Sequence, residues 1–295
     1  MKKIQIHKVI FTIILYGIGF TMLTPLLWMI STSFKPENEV FQFPIRWIPE
    51  HSVGFDNYKE VWGEQYNFGM YYLNSIKVTV ISTALQILVS ALGAYGFTKI
   101  KWKGRDQLFL IYLATMMIPP QVMIVSRFVI MQKMGLYNTH MGIILMTMFS
   151  LYGVFLLRQA MMGIPDSLCE SAKIDGAGHL RIFFQIVFPL IKPSIATLAV
   201  LKFVWTWNDY QTPLIFLSNR MLFTIQLGMK LFASESGSIY SLTMAAAVSA
   251  TPAKAGACQW TSWPRLSTKR VLPSPNTKMA RYPWISPRFT TLPMP

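Results

Sequence analysis

Two short stretches carry most of the side chains that could do chemistry in this otherwise apolar chain. The first leads into ESAKIDGAGH at 170–179, where Asp166, Glu170 and Lys173 fall at i, i+4 and i+7 and therefore share one helical face. Pro165 followed by Asp166 predicts a helix start there, with Asp166 able to cap free amides, while Leu168 and Ala172 share another face. Gly176 and Gly178 then permit a turn. A short charged helix of this kind suits docking to a partner; it also suits an ordinary surface. The second stretch, FVWTWNDYQTP, sets Trp205, Trp207, Asn208, Asp209 and Tyr210 side by side. Aromatic faces beside amide and carboxylate groups suit a polyhydroxylated ring, and the two Trp equally suit an aromatic belt at a lipid interface. Asn208 and Asp209 are expected to act inside a bundle, and Lys202, one turn before Trp205, to snorkel towards water.

Other chemistries find no support. There is no Gly-Lys dipeptide, so no phosphate-cradling Gly-Lys-Ser/Thr loop. His7, His51, His140 and His179 are isolated, without metal-ligand spacing, and are expected at the surface. Cys169 and Cys258 have neither ligand nor disulfide spacing.

The elements that must position these residues are membrane spans. Of 295 residues 53% are apolar and only 13% charged, and the mean hydropathy is +0.39, outside the range of a soluble domain. Runs at 9–31, 73–97, 107–130, 141–161 and 183–206 are each long enough to cross the membrane, which takes roughly 20 apolar residues for a core of about 30 Å. The first reads as a retained signal anchor, and Pro119 and Pro120 are expected to break the third. The net charge of +15 does not mark a nucleic-acid surface, because the Lys and Arg sit in short loops and at the ends of apolar runs.

Lys2, Lys3 and Lys8 before the first span, Lys99, Lys101, Lys103 and Arg105 after the second, and Arg158, Lys173 and Arg181 around the loop after the fourth belong in the cytoplasm. The loop 32–72 carries six acids against three basic residues and fits the outside. The amino terminus and ESAKIDGAGH are therefore expected inside.

ESAKIDGAGHLRIFFQIVFPLIKPS resembles the EAA loop of bacterial ABC importer permeases, with Glu170, Ala172, Asp175, Gly176, Ala177, Phe183, Ile186, Pro189, Leu190 and Pro193 at matching positions. Ser171 replaces the usual middle Ala, and Phe188 stands where Leu is common. SFKPENEVFQFPIRWIPE, FDNYKEVW, YLNSIKVTV, AYGFTKIKWKGRD, MMIPPQVMIVSRFVIMQKMGLYNT and FVWTWNDYQTPLIFLSN extend the likeness over roughly 20–250, in the order of the carbohydrate-uptake branch, similar to the maltose-system permease.

The resemblance implies an all-α membrane protein, the MetI-like transmembrane domain of a type I ABC importer. It would occupy 9–250 after a cytoplasmic 1–8, with a coupling loop at about 162–182. It implies a multi-pass subunit of the bacterial inner (plasma) membrane that forms half of a carbohydrate path and is not itself an enzyme. Its partners would be a second related permease, two ATP-binding subunits, an extracytoplasmic sugar-binding protein and the lipid bilayer, with no nucleic acid. No cofactor is expected on this chain; ATP and magnesium would bind the partner ATPase. By position, Glu170 would pair with a basic residue of the ATPase, Ala172 and Ala177 would allow close packing, and Asp175 and Gly176 would lie in the turn. Trp207, Asn208 and Asp209 are the candidate residues of the substrate path.

The carboxyl end departs from the pattern, which asks for a sixth span after SLTMAAAVSA. Residues 251–295 instead hold Pro252, Pro264, Pro273, Pro275, Pro283, Pro287, Pro293 and Pro295, seven Lys or Arg, and no acid. Proline at that density opposes a spanning helix. A shift of reading frame near Ala250 to Lys254 is the expectation, against a genuine basic tail. With the sixth span lost, the chain would be an inactive truncated permease or a non-transporting membrane protein.

Overall fold

The computed structural model describes residues 6–234 and 237–250. The expected tail at 251–295 and most of the amino-terminal segment 1–8 lie outside the described residues. The described chain is helical apart from a two-residue antiparallel ladder, Ala233–Ser234 with Gly237–Ser238. The all-α expectation therefore holds.

Helix α1 (Ile6–Ser33) exposes nearly every side chain from Phe11 to Ile30. A helix apolar all round and uncovered by its own chain belongs in lipid or against another membrane chain. Its last carbonyl is not left orphaned: Asn57, on α2 (Asp56–Trp62), donates from Nδ2 to Ser33 O at 2.9 Å and to Lys35 O, just past the helix, at 3.0 Å.

The centre of the bundle is α3 (Phe68–Thr98), 31 residues and so about 46 Å long. Ser75, Thr79, Ser82, Thr83, Gln86 and Ser90 are buried at steps of three and four, and with Ala91 and Ala94 they make a stripe of small and polar groups. Small residues let membrane helices approach where hydrophobic collapse gives no drive.

Beyond α3 the spans are broken. Helices α4 (Arg105–Ala114) and α5 (Ile124–Lys133) belong to two segments, Arg105–Met117 and Pro120–Lys133, that meet at 92°. Pro119 forces Ile118 out of helical geometry, to ψ 117°, and Pro119 itself is extended at ψ 132°. The next pair, α6 (His140–Thr147) and α7 (Leu151–Met162), bends by 43°. Ser150 restarts it, accepting from Gly153 N at 3.0 Å. After α8 (Asp166–Ile174), the short α9 (His179–Ile182), a π-turn at Phe183–Val187 and α10 (Phe188–Leu190) run at 78° to α11 (Lys192–Trp207).

The runs expected as continuous spans at 141–161 and 183–206 are thus each two helices, and the break expected at Pro119–Pro120 is present. Among the described residues two helices are long and apolar enough to cross alone, and up to five crossings result when each bent pair counts as one. The last described segment holds α12 (Gln211–Phe216), α13 (Ile225–Gly228) and α14 (Tyr240–Ala250). Glu37 caps α14, taking Tyr240 N at 2.9 Å and Ser241 N at 2.8 Å. Leu242, Ala245, Ala246 and Ala250 of α14 are buried in one cluster with Phe68, Tyr71 and Trp207. Helix α14 is the SLTMAAAVSA stretch itself, and the sixth span expected after it falls outside the described residues.

Candidate functional site

The loop after α3 and the loop after α7 meet at one end of the bundle. Lys99, the residue that closes α3, sends Nζ to Ile164 O at 2.6 Å and to Asp166 Oδ1 at 2.7 Å. The Lys99 side chain is buried, and its hydrogen bond and then its charge hold the Asp166 carboxyl below the usual carboxylate range. Asp166 does not cap α8 as expected: Pro165 occupies the cap position, and the helix has no side-chain cap. The start of α8 is instead tied to the end of α3 through a lysine.

The other end of α8 closes in a Schellman turn. Gly176 adopts φ +79°; its N–H reaches Lys173 O at 3.0 Å, and Ala177 N reaches Ala172 O at 2.9 Å. Those two bonds satisfy carbonyls that the helix end leaves free, and glycine is the residue that adopts a positive φ without a Cβ penalty. Ala172 and Ala177 pack on the core cluster of Cys169, Ile182 and Phe183. Within this chain both alanines thus serve the turn and its seating, and Tyr95 OH, 3.3 Å from His179 Nδ1, adds a further contact beside it.

What α8 and its turn present outward is a mixed knob. The Glu170 side chain is 61% exposed and only loosely paired with Lys101, at 3.7 Å; such a surface pair is worth about 0–1 kcal/mol. Asp175 is exposed at the helix end. Around them Leu168, Ile174 and Leu180 stand in the open, Ile174 at 87%. Sequence reasoning missed Ile174 and Leu180, although each is an apolar side chain in an otherwise polar loop. It assigned Lys99 only to a basic loop, because its partner lies 67 positions away.

The second candidate group lies elsewhere and is dispersed. Trp207 is 2% exposed, stacked on Phe203 at 5.8 Å and edge-on to Tyr72 at 5.6 Å. It sits neither at a lipid-facing surface nor on an open surface of this chain; its neighbour Trp205 is exposed. Asn208 turns its amide back to Val204 O at 2.7 Å, and Asp209 Oδ1 accepts from Thr212 N at 3.0 Å, so both fasten helix ends.

Lys202 corrects the snorkelling expectation. It is 7% exposed and donates from Nζ to Thr147 O at 2.8 Å. The break after α6 leaves that carbonyl at a helix end, where partial negative charge attracts a cation. His140 likewise is buried rather than superficial, with Nε2 2.9 Å from Leu222 O.

Apolar helices able to cross a membrane, alone or as bent pairs, define the class as a membrane protein. The fold agrees with that of a bacterial ABC transporter involved in the import of the acidic polysaccharide alginate, with a TM-score of 0.77 at 22% identity over 88% of this chain and 97% of the other. The chain belongs to the binding-protein-dependent transport system inner membrane component family, which matches it over residues 86–254. It is 32% identical over 232 residues to an arabinooligosaccharides transport system permease protein of Halalkalibacterium halodurans, covering 78% of this chain and 83% of that one. A diacetylchitobiose uptake system permease protein of Streptomyces coelicolor is 33% identical over 222 residues, 72% of this chain and 70% of its own.

Proposed function

We propose that this chain is the permease subunit of an ATP-driven carbohydrate importer, forming half of the path and taking its drive through α8 from a cytoplasmic ATPase. The observation that carries the coupling role is the two-ended seating of α8. A helix held by Lys99 at its start and by the Gly176 turn at its end passes a push into α3 and the π-turn rather than absorbing it by fraying. The exposed Glu170, Leu168 and Ile174 supply a charge and an apolar contact for the partner. Basic residues gathered at that end, Lys99, Lys101, Arg105 and Arg158, favour a cytoplasmic position for it and for the amino terminus.

The substrate class follows the named relatives, whose carbohydrate cargoes differ. The partners are a second permease, two ATP-binding subunits and an external binding protein; ATP and magnesium belong to the ATPase, and this chain binds no cofactor. Coexpression with an ATP-binding subunit and a second permease, followed by purification through a tag on this chain, tests the reading. Copurification with substrate-stimulated ATP hydrolysis is expected, and an ATPase that neither copurifies nor responds would refute it.

A second reading concerns assembly. The family match ends at 254, where the proline-rich sequence takes over. A reading-frame shift near Ala250 to Lys254 accounts for that coincidence, and an inactive truncated permease is then the product. Translation of the DNA in the other two frames is expected to reveal an apolar run of about 20 residues; its absence from both would remove this reading.

A further inference from the structure

The loop KIKWKGRD at 99–106 sets Lys99, Lys101, Lys103 and Arg105 at alternate positions, with Trp102 exposed among them. It follows α3, which is about 46 Å long and apolar enough to cross a membrane alone. A hydrocarbon core is about 30 Å thick, and about 40–45 Å with its headgroup layers, so the end of α3 at Thr98 reaches headgroup level. A cleft of about 350 Å³ opens there, walled by residues between Thr98 and Gln107 and by Asp166 of α8.

Both carboxylates in its wall are already paired. Asp166 takes Lys99 Nζ at 2.7 Å, and Asp106 takes Arg105 Nε at 3.2 Å and Arg158 Nη2 at 3.4 Å. Arg105 also donates to Thr98 O at 3.1 Å, so it is fixed in the wall and contributes its charge rather than free donors. Lys101 has only Glu170, at 3.7 Å, and among the described residues Lys103 enters no ion pair. Five cations thus meet three acids, a surplus of two positive charges. Their field reaches across the cleft: the Asp166 carboxyl, held low by Lys99 first, is lowered by Lys101 and Arg105 as well.

Past the cleft α4 turns apolar and open. Leu108 lies one turn beyond Arg105 and Ile111 one turn beyond Leu108, and both are exposed. A free phosphate, or an acidic side chain of a partner, gains nothing from that face. A glycerophospholipid uses both parts, with its phosphate among the cations and its acyl chains against the leucine and isoleucine.

We infer that this cleft binds the phosphate of an anionic glycerophospholipid whose acyl chains lie along Leu108 and Ile111. Lys101 and the Gln107 amide donate to the phosphate oxygens, Lys103 adds its charge, and Trp102 rests at the boundary between headgroups and chains. The inference needs only that the chain spans a membrane and is independent of the importer reading.

The test is native mass spectrometry of the full chain, purified in detergent with its copurifying subunits, against three probes. These are phosphatidylglycerol, phosphatidylcholine of the same chains, and glycerol 3-phosphate, which has the anionic group without the chains. Phosphatidylglycerol is expected to bind at least about fivefold more tightly than phosphatidylcholine, and glycerol 3-phosphate more weakly than either lipid. Lys101→Gln should weaken phosphatidylglycerol about fivefold, and Lys101→Gln with Lys103→Gln about 25-fold, while Lys59→Gln on α2 changes nothing. Leu108→Asn should weaken both lipids. Should the lysine variants unfold, a salt titration of the parent carries the test: loss of phosphatidylglycerol preference in high salt is expected, and a preference indifferent to salt overturns the site. Equal binding of the two lipids, binding indifferent to Lys101 and Lys103, or glycerol 3-phosphate held as tightly as the lipid would each overturn it. Displacement of phosphatidylglycerol by an added ATP-binding subunit would give the cleft to an acidic partner and overturn the lipid site, with the importer reading left standing.

Discussion

The turn that ends α8 makes a prediction with its own internal control. Gly176 sits at φ +79° with nothing within 4 Å of where a Cβ would be, so Gly176→Ala meets no steric neighbour and the cost is backbone strain alone. Placing an L-residue there costs about 1–2 kcal/mol, which raises the population of the opened turn roughly 5- to 30-fold. Gly178 also has open space around its Cβ position, but its φ is −70°, which any residue adopts. Gly178→Ala should therefore stay within about 0.5 kcal/mol of the parent. Amide hydrogen exchange of the purified protein reads the difference directly at Gly176 N and Ala177 N, the two donors of the turn. Faster exchange in Gly176→Ala, with Gly178→Ala like the parent, is the expected pattern, and Gly176→Asn should fall between them. Equal protection in both alanine variants would mean that the left-handed residue does not hold the turn, and the rigid-knob argument would lose its support at that end.

Other consequences follow from single contacts. Lys202→Met strands Thr147 O in the bundle and should lower stability by about 1–3 kcal/mol, measured as thermal unfolding in detergent. A Cβ on Gly153 would lie 2.6 Å from Ser90 Oγ; Gly153→Ala should destabilise the α3–α7 packing by about 1–3 kcal/mol, and Ser90→Ala should recover part of that loss in the double variant. The depressed Asp166 carboxyl binds its proton less readily folded than unfolded. The staple to Lys99 is therefore at full strength above the ordinary value of 3.8 and is lost as pH falls through the lower folded value. Asp166→Asn should abolish that acid-side dependence of exchange at the start of α8.

Much of the architecture is legible in the residues because membranes impose a length rule. Runs of apolar residues locate five crossings, and Pro119–Pro120 announces one break through the missing N–H and the clash with the preceding residue. The break before Ser150 carries no proline and is not visible locally, whereas Pro189 and Pro193 flank the bend at Ile191 and could have announced it. The limits of α8 are legible because Pro165 and Gly176 act on their own backbones. The same helix's attachment is not, since Lys99 meets Asp166 only after the chain has crossed the membrane twice. Lys202 misleads for the same reason: an isolated lysine near a helix end reads as snorkelling until Thr147 O, 55 positions away, is found waiting for it. Trp207 has the composition of a sugar platform and the packing of a core residue.

The central claim is that α8 faces the cytoplasm and bears on an ATPase, and cysteine cross-linking tests it most directly. In a Cys169→Ser, Cys258→Ser background, Ile174→Cys puts a thiol on the most exposed apolar position of the knob, while Phe43→Cys marks an exposed site in the loop between α1 and α2. With the assembled importer in membranes, Ile174→Cys is expected to cross-link to the ATP-binding subunit with a yield that changes when ATP is added, and Phe43→Cys not at all. A cross-link from Phe43→Cys to the ATPase, or none from Ile174→Cys in an importer that still hydrolyses ATP, would contradict the account.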